Sequence, residues 1–211
     1  MDFSPIKIKA KEFLLEKFRK QGKSKINLDE RLPPGQRLVN NFPVLDLGIQ
    51  PEIQFSTWKL KISGLVEKPL ELSLDDIKRL GVKEYAADFH CVTGWSKFGV
   101  KWKGVPIKKI INLAKPDPKW KHVIQYGKDN YSTNVPRIDV ERDDVFLVFE
   151  LDGKPIPREH GYVRSIIPHL YAWKTSKFLT ELEFSKEDKP GFWEVRGYNN
   201  HGDAFKEERY G

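Results

Sequence analysis

The chain is almost without cysteine: one in 211 residues, Cys91, so no intramolecular disulfide can form. A lone cysteine is either a small buried hydrophobe or a reactive thiolate and soft metal ligand. Long apolar runs are missing too, and nothing approaches the ~20 residues that cross a bilayer as a helix. The first residues carry no apolar signal core, twin-arginine pair or small-residue cleavage site. With the unpaired cysteine, this sets the expectation of a cytoplasmic protein with no membrane span. Nor is there a long block of one charge. The formal charge is +7 and the pI about 9.3. No zinc-finger spacing or RNP-like aromatic motif accompanies that surplus. It reads as a lysine-rich solvated surface, with an anionic ligand or nucleic acid as functional alternatives, and a nucleic-acid partner is not expected.

What is present is aromatic and alternating. Six Trp, seven Tyr and thirteen Phe supply material for a sizeable core. Residues 1–30 read as a lead-in with a surface helix over Lys11–Lys20, placing Phe13, Leu14 and Phe18 at helical spacing and ending near Gly22. Residues 31–211 read as one domain. Lys23–Gln36 is loop-like, with a turn at Pro33-Pro34-Gly35. Trp58–Ile62 alternates as a strand, Leu70–Leu72 follows a turn, and Ser73 with Asp76 caps a short helix stopped by Gly81. Glu84–Val92 alternates with Tyr85, Ala87, Phe89 and Cys91 on one face, until Thr93 and Gly94 break the pattern. Pro106 starts a helix carrying Ile107, Ile110, Ile111 and Ala114, which Pro116 ends. Val123–Tyr126 is a strand. Val145–Leu151 is so continuously apolar that it should be buried on both faces, before a hairpin turn at Asp152-Gly153. Short strands interrupted by short helices give an α+β class with a large β component.

Cys91 therefore sits where a strand hands over to a loop, a position that suits chemistry. Its surroundings read His90-Cys91-Val92-Thr93-Gly94-Trp95-Ser96, then Val100-Lys101-Trp102-Lys103-Gly104-Val105-Pro106-Ile107. Further on, His160-Gly161-Tyr162-Val163-Arg164 leads into Ser165-Ile166-Ile167-Pro168. Arginine's planar fork suits a phosphate, and histidine can donate to a phosphate oxygen. Trp173-Lys174-Thr175-Ser176-Lys177 is either a basic loop before the strand Phe178–Phe184 or a cup of amides, hydroxyls and an ammonium for an anion. Asn40-Asn41 before Phe42-Pro43 is either a turn or a source of amides for a polar cofactor.

These segments, in this order, resemble the sulfite-oxidase-like molybdopterin enzymes, which include sulfite oxidases and bacterial methionine-sulfoxide reductase catalytic subunits. The resemblance runs from about Arg31 to Tyr210. It implies a stand-alone sulfite-oxidase-type molybdopterin-binding domain, with β-rich mixed sheets and short helices. It also implies Mo-molybdopterin as cofactor, tungsten being the alternative metal. Cys91 would ligate the metal, and Arg164, Thr175, Ser176 and Lys177 would hold the pterin phosphate. His160 and Asn40 would orient the pterin. Tyr198 would stand beside the metal as proton donor or substrate contact, and Arg196, Asn199 and His201 would line the entrance. The His160–Arg164 spacing is one residue shorter than the family's usual run. A threonine that contacts the cofactor in the methionine-sulfoxide reductase branch falls on Gly127, which leaves only a backbone contact.

The implied activity is oxygen-atom transfer to or from a small substrate such as a sulfoxide, N-oxide or sulfite, with electrons from a separate partner. No second arginine cluster for sulfite is evident. Two alternatives remain open at this point. One is a metal-free enzyme with Cys91 as nucleophile, activated by His160 or His201 because His90 points to the opposite strand face. The other is a basic anion- or nucleic-acid-binding module whose cysteine is merely buried.

Overall fold

The computed structural model describes residues 3–21 and 31–211. Its elements are α1 (Pro5–Gln21), β1 (Arg37–Leu38), β2 (Lys59–Gly64), β3 (Leu70–Ser73), α2 (Leu74–Arg79), β4 (Lys83–Cys91), β5 (Trp95–Pro106) and α3 (Ile107–Ala114). They continue with β6 (His122–Gly127), β7 (Ser132–Pro136), α4 (Arg137–Val140), β8 (Phe146–Leu151), β9 (Lys154–Pro155), β10 (Arg164–Ile166) and β11 (Leu179–Ser185). Among the described residues the strands form two sheets. One has six strands, with β5 and β8 central, β4 hairpinned onto β5, β1 parallel to the start of β5, and β10 and β9 antiparallel to β8. The other has five strands in the order β3-β2-β11-β6-β7, with β2 and β11 parallel and the remaining pairs antiparallel. Mixed sheets with few short helices make the α+β class.

Strand β8 shows why the sheets stack as they do. Leu147 and Phe149 face the core shared with α3, β2, β6 and β11, whereas Phe146 and Val148 face a second core of Phe89, Trp95, Trp102 and Ile166. A strand covered on both faces needs no polar alternation, as the run Val145–Phe149 anticipates. On α3, Ile107, Ile110, Ile111 and Ala114 are all buried, as i, i+3, i+4, i+7 spacing requires. At α2, Ser73 and Asp76 form the expected capping box, each side chain taking the other's backbone N–H.

The β4–β5 hairpin places Cys91. Gly94 takes φ 89°, a left-handed conformation that a Cβ would strain, and its N–H donates to the Cys91 carbonyl at 3.0 Å. The Gln36 side chain donates to the same carbonyl at 3.1 Å, while Arg209 Nη1 donates to the Val92 carbonyl at 2.5 Å. The strand end is thus held from two sides.

Helix α1 departs from expectation. It starts at Pro5 rather than Lys11, and Phe13 is 68% exposed, so the Phe13 stripe is not its docking face. It docks by its first turns: Phe3 packs edge-on against Phe192 at 4.7 Å, Ile8 joins the same aromatic cluster, and Ser4 N–H donates to the Leu47 carbonyl at 2.7 Å. The Phe18 side chain, Gly22 and the loop expected over residues 23–30 lie outside the described residues. The turn at Pro33-Pro34-Gly35 is present, closed by Gln36 N–H to the Pro33 carbonyl at 3.2 Å. Among the described residues no helix is long and apolar enough to cross a membrane.

Candidate active site

The end of β4, the segment after β1, the turn before β10, the loop before β11 and the C-terminal aromatic cluster converge on one cavity. It holds about 820 Å3 of empty space, open solvent at its mouth included. Its wall includes Cys91, His160, Arg164, Thr175, Lys177 and Tyr198. Six of the eight residues singled out from the sequence are therefore brought together from across the chain.

Cys91 is buried, with its Sγ 3.1 Å from Thr93 Oγ1. Burial pushes the thiol above its ordinary pKa, opposed by Thr93 and by the fields of Lys11 and Arg209. A thiol pushed up is a poor free nucleophile and becomes a thiolate ligand only when a metal displaces the proton. The histidines do not change this. His90 Nδ1 pairs with Ser96 Oγ at 2.8 Å, and His201 is spanned by Glu208 at Nδ1 (2.7 Å) and Asp139 at Nε2 (3.1 Å). His160 lies tilted against Phe42 with ring centroids 4.5 Å apart, and burial lowers its pKa to about 4. The Cys–His nucleophile arrangement is not assembled.

Arg164 is 2% exposed, and among the described residues no carboxylate lies within ion-pair distance of it. Its Nη2 donates to Thr175 Oγ1 at 2.7 Å, it lies 5.2 Å from the Phe89 ring centroid, and its Nε is buried with no hydrogen-bond partner. Burial lowers its pKa from 12.5 to about 10. Lys177 is similar: Nζ donates to the carbonyls of Leu45 (2.8 Å) and Glu159 (2.7 Å), and burial, then the neighbouring Arg164, lowers its pKa to about 7. A buried guanidinium and a partly buried ammonium, neither with a counter-carboxylate among the described residues, suit an anion. The Trp173 Nε1, also on the cavity wall, is a second buried donor with no partner.

Gly161 explains how His160 and Lys177 share one wall. It takes φ 100°, and a Cβ there would fall 2.6 Å from Lys177 Cβ, so only glycine lets the two segments close. Tyr198 is buried between Trp193 (stacked, 4.8 Å) and Trp173 (edge-on, 5.0 Å), with its pKa raised chiefly by burial and then by Cys91.

Other expected positions fall elsewhere. Asn40 is not on the wall; its carbonyl accepts from Lys97 Nζ at 2.8 Å, and Phe42 and Pro43 line the cavity from that segment instead. Ser176 is fully buried behind the wall, its N–H on Gln125 Oε1 (3.1 Å) and its Oγ on the Lys177 carbonyl (3.0 Å), because the loop turns its side chain inward. Of the expected entrance residues, Arg196 Nη1 donates to the Phe192 carbonyl, Asn199 Oδ1 accepts the N–H groups of His201 and Gly202, and His201 holds the carboxylates named above. None of the three lines the cavity. At Gly127 a Cβ would meet Asp129 Oδ1 at 2.3 Å and the Lys177 carbonyl at 2.6 Å, so no side chain fits there.

Four residues had no sequence signal pointing to them. Gln125 holds the loop, taking the Ser165 hydroxyl (2.5 Å) and Ser176 N–H on its Oε1 and donating to the Lys174 carbonyl (3.0 Å). Lys174 points away from the cavity into Asn134 and Glu194, both at 2.7 Å, and the Asn200 carbonyl at 2.8 Å. Asp129 lines the cavity, and burial raises its pKa to about 6. Lys11 reaches the wall from α1. Gln125 reads as one polar residue in an apolar strand, Lys174 as part of the basic loop, Asp129 as a turn residue and Lys11 as a surface lysine until the chain is folded.

A family model described as an oxidoreductase molybdopterin binding domain matches residues 47–193. The uncharacterized oxidoreductase YuiH of Bacillus subtilis (strain 168) is 38% identical over 182 residues, covering 85% of this chain and 92% of that protein.

The chain belongs to the molybdopterin-binding oxidoreductase family.

It is an oxidoreductase on that ground. The protein-methionine-sulfoxide reductase catalytic subunit MsrP of Campylobacter jejuni subsp. jejuni is 29% identical over 163 residues, which cover 69% of this chain and 54% of that protein. The chain thus spans about half the length of that reductase subunit. The crystal structure of the sulfane dehydrogenase SoxCD from Paracoccus pantotrophus superposes with TM-score 0.59 at 23% identity, covering 65% of this chain and 40% of that one; it bears on the fold. The cavity suits the family's cofactor: a thiol at one part of the wall, two cations without counter-carboxylates for a phosphate, and two wall residues, Arg164 and Trp173, each with a buried donor that has no partner.

Proposed function

We propose that this oxidoreductase catalyses a two-electron oxygen-atom transfer on a small substrate such as a sulfoxide, N-oxide or sulfite. The observation that carries this is the shared cavity of Cys91 with Arg164 and Lys177, a soft sulfur donor beside cations that lack an anion. Molybdenum-molybdopterin, when bound, supplies the two-electron redox change and the oxygen acceptor or donor.

The chain's own residues do the rest. Cys91 would hold the metal through its sulfur, and the two hydrogen bonds on the Cys91 carbonyl fix the end of β4. Arg164 and Lys177 would hold the pterin phosphate, with Thr175 keeping the guanidinium in place. His160, neutral at pH 7 and tilted against Phe42, could both donate and accept toward the pterin. The low-exposure aromatic wall of Trp173, Trp193 and Tyr198 keeps bulk water from the reacting sulfur. Reduction of a sulfoxide consumes two electrons and two protons and yields a sulfide and water. Tyr198, which lines the cavity with Cys91, would serve as proton donor, and electrons would come from a separate redox partner.

The test is activity of metal-loaded protein in both directions. Reduced viologen with dimethyl sulfoxide, methionine sulfoxide or trimethylamine N-oxide reads reduction; ferricyanide with sulfite reads oxidation. Turnover with one of these that is lost in Tyr198→Phe at unchanged metal content supports the reading. Fully loaded protein inactive in every assay contradicts it.

A further inference from the structure

Helix α1 lies outside the segment that matches the family model, yet it brings a third cation to the cavity. Lys11 Nζ lies 5.6 Å from the centroid of the Trp193 ring and makes one hydrogen bond, to the Asp46 carbonyl at 3.2 Å. Among the described residues no carboxylate is within ion-pair distance of it. The Asp46 carboxylate is turned to Lys7, Gly48 N–H and Gln50 instead. Lys11 is not a free surface lysine, because the helix is pinned one turn earlier by the Lys7–Asp46 ion pair and at its start by Ser4 on Leu47. Lys11 is partly exposed, and its ammonium has one of three donors engaged by the protein, which leaves donors at the wall for an acceptor.

Its neighbours narrow what that acceptor is. Lys11 and Cys91 line the same cavity, together with Trp193 and Tyr198. Arg164 and Lys177 are committed to a phosphate in the functional reading above, on which this inference rests. Lys11 is not.

We propose that Lys11 is a substrate-positioning residue that gives the site a preference for a small oxyanion, through an ammonium carried by a helix outside the family's shared domain. A sulfur oxyanion is then favoured over a neutral sulfoxide of similar size. The cation that a sulfite-class substrate requires comes from α1 rather than from a second arginine.

Sulfate serves as a non-reacting oxyanion probe. Its dissociation constant is measured calorimetrically, at constant ionic strength in chloride, for metal-loaded parent, Lys11→Gln and Lys11→Arg. A charge-assisted hydrogen bond in such a site corresponds to about tenfold or more in affinity. The expected result is binding at least tenfold weaker in Lys11→Gln and within about threefold of the parent in Lys11→Arg, which shows charge rather than helix docking at work. Equal affinity in parent and Lys11→Gln overturns the proposal. Equal loss in both variants, or no sulfate binding by fully loaded parent, does so too. A parent that carries no metal in a cofactor-making host fails at the earlier step, the functional reading itself.

Discussion

Replacing Arg164 by methionine should remove the cofactor and spare the fold. In the cofactor-free chain the guanidinium is buried with no carboxylate beside it, and its pKa stands at about 10 against an ordinary 12.5. At ~1.4 kcal/mol per pH unit, holding that charge costs the cofactor-free chain on the order of 3 kcal/mol. Methionine relieves this cost and fills part of the space beside Phe89, where the guanidinium lies 5.2 Å from the ring centroid. It gives up the 2.7 Å hydrogen bond to Thr175 Oγ1, roughly 1.5–3 kcal/mol for a charged donor. The two effects nearly cancel. The cofactor-free variant, made in a host that does not synthesise molybdopterin, should melt within about 5 °C of the parent by calorimetry. Made in a cofactor-producing host, it should contain far less molybdenum and pterin, because truncating one partner of a buried charge pair costs about 2–5 kcal/mol. A cofactor-free variant melting more than ~10 °C lower would show that Arg164 is a structural anchor. A variant that loads like the parent would show that the phosphate lies elsewhere. Either result refutes the reasoning.

Three further outcomes follow from the same cavity. Lys177 has a folded pKa of about 7 against 10.5, so between those values the unfolded chain holds a proton that the folded chain has released. Stability of the cofactor-free protein should therefore rise with pH above 7, and Lys177→Met should flatten that slope in thermal melts taken between pH 7 and 9. Asp129 behaves oppositely: with a folded pKa of about 6 against 3.8, the folded chain keeps the proton longer, and stability contributed by this group falls as pH rises from 4 to 6. Asp129→Asn should lose that dependence, measured by the same melts. Gly161→Ala forces a Cβ to within 2.6 Å of Lys177 Cβ at a φ of 100°. It should destabilise by about 2 kcal/mol or more and lower cofactor content, read by chemical denaturation and pterin fluorescence; parental stability would contradict the packing argument.

Local rules carried the scaffold. The Ser73–Asp76 box, the four buried positions of α3 and the apolar run through β8 each follow from contacts within a few residues, and the chain alone encodes them. Cys91, Arg164 and Lys177 were legible as a constellation through the family resemblance, since nothing in their own periodicity places them in one cavity. What was not legible depends on distant partners. The inward turn of Ser176 is set by Gln125, some fifty positions away in the chain. Lys174 is drawn off by Asn134 and Glu194, and Asn40 loses its place on the wall to Phe42. Lys11 was hidden in a helix that reads as amphipathic around Phe13, a face that the fold leaves in solvent.

The central claim is that Cys91 is the protein's sulfur ligand to a molybdenum centre. Its direct test is elemental analysis, with molybdenum and tungsten both scanned, of parent and Cys91→Ser purified from a cofactor-producing host. Near-stoichiometric molybdenum is expected in the parent, with metal lost or its sulfur coordination altered in the variant by X-ray absorption. A parent free of both metals, or a variant with unchanged metal and unchanged sulfur coordination, would contradict it.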